Sequence, residues 1–160
     1  MTTAVLEEVS ADAITSCTRT KSNKLSLWKV DDKDNPKDAV LPLITGFEKP
    51  NRCEIVYIDE NLLQSAGIEL VKEKGITPLK ELEDTHYDAV VHNYAGLGKF
   101  AEIILTSLKD KTNFAKVKDN DVKKLIMQLV ESDRIKKEDL HEKMQEKLGY
   151  AVSIEQSDVC

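Results

Sequence analysis

Paired carboxylates are the first residues in this chain whose types could do chemistry. The stretch KVDDKDNPKD, residues 29–38, is the densest acidic cluster, and it follows directly on the apolar run LSLW. A second pair, Asp59 and Glu60, closes the run IVYIDE. Carboxylate oxygens suit a hard divalent cation. If both runs are strands ending at one sheet edge, Asp31, Asp32 and Asp59 are the ligands a magnesium site would draw on. An EF-hand loop does not fit, because counting from Asp32 puts Lys37 where Gly is required and Leu43 where Glu is required. The plainer use of these acids, as solvated strand ends and helix caps, is the expectation.

Glycine supplies the second pattern. Gly96, Gly98 and Ala101 in YAGLGKFA fit G-x-G-x-x-[GA] between a strand-like run and a helical one. Amides in such a turn can approach a pyrophosphate, and Asp119 stands about where a ribose-binding acid belongs. Gly96, Gly98 and Asp119 are therefore the cofactor-binding candidates. The chain after Asp119 reads mainly as helix, however, and leaves no room for a second nucleotide half. The expectation is a helix entry with no cofactor.

The acid pairs at the ends of WKVDD and IVYIDE resemble the acidic pocket of response-regulator receiver domains. The resemblance covers these two strand ends alone and implies a magnesium-assisted phosphoryl site there. The phosphorylated Asp after a later strand, and the family's Lys and Thr or Ser, have no assignable counterpart in this chain.

Other reactive residues add little. His86 and His92 on one strand would lie ~20 Å apart at ~3.3 Å per residue, too far to share a metal. His92, beside Asn93 and Tyr94, is the better general-base candidate, and His141 falls on a charged helix. Cys17, Cys53 and Cys160 are odd in number and far apart, with neither zinc nor disulfide spacing. Reduced thiols suit the cytoplasm. The N-terminus lacks the positive charge of a secretory signal, and no apolar run approaches a membrane span.

These side chains need elements to hold them. Residues 1–24 read as a flexible arm, with Val5, Leu6, Val9 and Ile14 at helical spacing. Strand content marks residues 25–30, 53–58 and 87–94, and IELVKEKG reads as an edge strand. Asn35 and Pro36 start a helix that Gly46 can close, despite Pro42 within it. TPLKELEDT reads as a short helix. Leu97, Phe100, Ala101, Ile104, Leu105 and Leu108 form the clearest helical stripe, NFAKVKD suits a following strand, and residues 119–149 form a helical hairpin before a last strand at YAVSI. Strands alternating with helices predict an α/β fold for residues 25–160, a small mostly parallel sheet flanked by helices with the hairpin appended; α+β is the alternative. The segments at Leu25, Glu54 and Tyr87 are expected side by side.

At 160 residues, 41% hydrophobic and 32% charged, the chain can bury a core without staples. Its net charge of -6 opposes phosphate binding, which argues against nucleic acid. The hairpin has a winged-helix outline, but Glu138, Asp139, Glu142 and Glu146 would repel a DNA backbone. With each catalytic pattern missing a member, the expectation is a non-catalytic cytoplasmic protein that binds an unidentified protein partner as a regulatory or accessory component. The apolar faces of Leu25–Trp28 and of the C-terminal helices are its sticking points. Nucleotide binding at the Gly96/Gly98 turn and DNA binding through the hairpin are the alternatives.

Overall fold

The computed structural model describes residues 22–150. Most of the expected arm, and the last strand beyond Tyr150, lie outside that range. Along the chain run β1 (Lys24–Trp28), α1 (Pro36–Ile44), β2 (Cys53–Val56), α2 (Glu60–Ser65), β3 (Glu69–Lys72), β4 (His86–Val90), α3 (Tyr94–Leu108), β5 (Phe114–Val117), α4 (Asp119–Glu131) and α5 (Glu142–Leu148). Short 3₁₀ turns at Lys80–Thr85, Lys111–Asn113 and Lys137–Asp139 join them.

The mostly parallel sheet is corrected: the strands form two sheets, and every pairing is antiparallel. One sheet has the order β1-β4-β3, and the other pairs β2 with β5. The Glu54 segment is therefore not beside the Leu25 and Tyr87 segments. The reason lies in the strand faces. A parallel sheet needs both faces buried, whereas β1 and β2 alternate core-facing apolar residues with polar ones on the opposite face. In β1, Leu25 and Leu27 face inward opposite Ala89 and Tyr87, and Ser26 and Trp28 lie on the other side opposite Asp88 and His86. In the second sheet Cys53 and Ile55 face the core, while Glu54 and Lys116 pair at 3.1 Å on the wet side. The helix after β1 does not return to the same sheet, but carries the chain across to the second one.

Each sheet gathers its own core. Leu25, Ala89 and Val91 pack with Leu63 and Ile68 around α2, and with Phe100 and Ile103 of α3. Around β2–β5, Val40 and Ile44 of α1 meet Val122 and Ile126 of α4 and Met144 of α5. Burying side chains of this size contributes about 1.5–3 kcal/mol each. Pro42 is tolerated inside α1: its ring is itself buried, and the carbonyl it leaves without a partner belongs to solvent-exposed Asp38. Among the described residues no helix is long and apolar enough to cross a membrane.

Candidate functional site

The polar face of the three-stranded sheet is built by strand alternation. Lys24, Ser26 and Trp28 of β1 stand on the same side as His86 and Asp88 of β4. His86 and Asp88 are buried, whereas Ser26 is exposed. His86 Nδ1 lies 3.1 Å from the Glu73 carbonyl, which can only accept, so Nδ1 carries the proton. Nε2 then accepts from the Ser26 hydroxyl at 3.0 Å. Asp88 Oδ2 pairs with the Lys24 ammonium at 3.2 Å, and Lys24 also reaches Glu73. Glu73 first, then Asp88, raises the Lys24 pKa above its usual value.

Serine, histidine and aspartate thus meet, but not in the order of a hydrolytic triad. There the carboxylate holds the imidazole nitrogen opposite the serine. Here Asp88 Oδ1 lies 3.7 Å from Nε2, on the serine's side of the ring, and a backbone carbonyl orients the imidazole. The arrangement ties β1, β4 and the loop after β3 together as a satisfied polar cross-link.

Trp28 ends this face. Its indole meets the His86 ring edge-on, with centroids 4.9 Å apart and an interplanar angle of 63°. Gly75 closes over the benzo edge: a Cβ there would fall 2.2 Å from Trp28 Cη2 and 2.9 Å from His86 Cβ, so only glycine lets the loop approach. The Gly75 amide donates to the Glu83 carbonyl at 2.9 Å. Two residues on, buried Thr77 accepts from the Leu79 amide at 3.3 Å, and Leu79 is fully buried in the larger core. Between these anchors Ile76 is 101% exposed.

Trp28 also borders a cleft of about 210 Å³ between the end of β1, α1 and the turn before β4. Val30, Ala39, Pro42 and Leu82 supply apolar walls, and Asp31, Asp32 and Asp38 supply charge. A second, larger groove of about 400 Å³ runs between α2 and α3 over Leu62, Ala66 and Ile103, with Lys99 and Glu102 at its edge. Neither cavity is lined by Ser26 or His86.

The residues singled out by sequence are dispersed. Asp31 and Asp32 lie at the Trp28 cleft, while Asp59 caps α2, its Oδ1 accepting from the Asn61 amide at 2.8 Å. Among the described residues no three His, Cys, Asp or Glu side chains come together as a metal site. Gly96 and Gly98 sit in the first turns of α3, neither at positive φ. The Gly96 amide is engaged by Asn93 Oδ1 at 2.9 Å, and a Cβ at Gly98 would meet open space. Asp119 opens α4, near enough to Cys53 of the second sheet for its charge to add to the main effect, burial, in raising that thiol's pKa. The strand after α3 joins the other sheet, so the strand, helix and parallel strand on which a dinucleotide fingerprint depends is not formed.

His92 is exposed, and His141 caps α5, its Nδ1 accepting from the Lys143 amide at 3.2 Å. Sequence reasoning passed over Ser26, Gly75, Ile76 and the pairing of His86. Their only local signal was the alternation of Ser26 with Trp28 and of His86 with Asp88. No family model, no curated protein and no solved structure matches this chain.

Proposed function

We propose that the protein is a non-catalytic protein-interaction module, a regulatory or accessory component that docks its partner on the loop carrying Ile76. The observation that carries this reading is a fully exposed isoleucine between two anchored neighbours. A single exposed apolar side chain on a loose loop would mean nothing. This loop is anchored at both ends: Gly75 packs against Trp28, and Thr77 and Leu79 are buried. A preorganised apolar knob pays little ordering entropy on binding, which is how compact interaction anchors gain affinity.

The test compares the wild-type chain with Ile76→Ser as baits in its native cell extract. A specific partner should be retained by the wild type and lost from the variant, with both melting at the same temperature because Ile76 makes no core contact. Retention of the same proteins by both baits would overturn the reading.

A further inference from the structure

We propose that the Trp28 cleft receives a lysine or arginine side chain from an extended basic segment of the protein partner. The inference rests on the protein-binding reading and names the chemistry of the partner. Carboxylates alone would be a solvated cluster; here they border an open cleft that Trp28 also lines. An aromatic ring beside carboxylates is a surface to which a cation is drawn. Pro42, Ala39 and Leu82 line the space as an aliphatic stem requires, since long basic side chains bury their methylenes and keep the charged head wet.

Size and charge narrow the occupant. A cleft of about 210 Å³ is below the usual ~300–1,000 Å³ of cofactor and small-molecule sites, and fits one side chain better than a nucleotide. Asp31, Asp32 and Asp38 form no ion pair among the described residues, and Lys29 is the one basic residue lining the cleft. Two of the carboxylates are held in place without being neutralised. Asp32 Oδ1 accepts from the Asp34 amide at 2.8 Å, and Asp38 Oδ2 from Asn35 Nδ2 at 2.6 Å. The local field is felt at Tyr57, whose hydroxyl is pushed up in pKa by burial and then by the charges of Asp32 and Asp34. Ile76 adjoins the glycine on the indole's benzo edge, so one partner segment can seat an apolar residue there and a basic residue in the cleft.

Trp28 is the only tryptophan, so its emission reports on the cleft directly. The full chain is titrated at low salt with a capped Gly/Ser peptide carrying two arginines, with the same peptide carrying glutamines, and with Mg²⁺ alone. Saturable change with the arginine peptide only, weakened roughly tenfold in Asp31→Asn/Asp32→Asn at unchanged melting temperature, supports the proposal. No saturable change, equal response to the glutamine peptide, an equal response to Mg²⁺, or undiminished binding by the double variant overturns it. Ile76→Ser keeps the cleft intact and should still bind the arginine peptide. A negative titration alongside Ile76-dependent partner capture sinks the cleft proposal alone, whereas equal retention of the same proteins by the wild type and Ile76→Ser sinks the broader reading.

Discussion

The β2–β5 half gathers thirteen buried apolar residues around its sheet among those described, the β1–β4–β3 half only seven, and the smaller core is the one flanked by polar cross-links. In the larger half the outer sheet face carries the exposed pair Glu54–Lys116. In the smaller half the corresponding face holds buried His86 and Asp88, tied to Ser26, Lys24 and the Glu73 carbonyl. A sheet with less apolar area to bury recovers order from directional bonds, and such bonds fix positions more finely than packing does. The Trp28 cleft and the Ile76 loop both begin at the end of that face, while Leu79 and Leu82 connect them to the larger core. One half supplies the anchor and the other supplies the presentation.

The comparison breaks first, and with the largest effect, if the halves melt separately. Met144→Ala, at a fully buried site in the larger core, should cost about 2–5 kcal/mol, and Phe100→Ala in the smaller core about 3–5 kcal/mol. Because the chain interlaces the two halves, Trp28 emission and far-ultraviolet circular dichroism should shift together in urea for both variants. A Trp28 transition that precedes the loss of helix in Phe100→Ala alone would show two independent units.

A smaller effect of opposite sign comes from buried hydroxyls. Thr45 Oγ1 beside the larger core and Ser107 Oγ in α3 are buried without a hydrogen-bond partner. Thr45→Val and Ser107→Ala should each stabilise by about 1 kcal/mol, read as a rise in urea midpoint at constant slope. A loss in either would show that its hydroxyl is satisfied in solution.

The smallest effect is a pH dependence from exposed ion pairs in both halves. Glu48 and Glu54 are held below the usual carboxylate range by hydrogen bonds from Lys143 and Lys116. Their contribution is present above the unfolded value near 4.5 and fades as the pH falls through the depressed folded values. The raised Lys24 contributes below its unfolded value of 10.5 and fades as the pH climbs past its folded one. Urea midpoints should therefore decline slightly at both extremes, less so in high salt because the groups are exposed. Glu54→Gln should flatten only the acid limb and Lys24→Gln only the alkaline one.

Much of the local structure was legible. The stripe from Leu97 to Leu108 became α3, Asn35–Pro36 opened α1, and IELVKEKG gave an edge strand. The turn after Thr77 closed as 3₁₀ rather than α. Strand pairing was not legible, because Ser26 meets His86 across about 60 positions and nothing near either residue encodes the other. Reading strand–helix alternation as parallel crossovers assumed that successive strands share a sheet, which the wet faces of β1 and β2 forbid. The acids were visible as a cluster but not as part of a cleft, since Leu82 and Thr85 reach it only through the fold. Gly75 had no motif around it, whereas Gly96 and Gly98 had one and proved to need no special backbone.

The chain crosses between the two sheets after β1, after β2 and after α3. Neither sheet can therefore be cut out as one continuous stretch of polypeptide: a nick in the link between β2 and α2 would leave two fragments that must re-associate to complete both. Expression of either piece alone should yield no folded product, and mixing them should restore one, as for two strands of a braid severed at a single point.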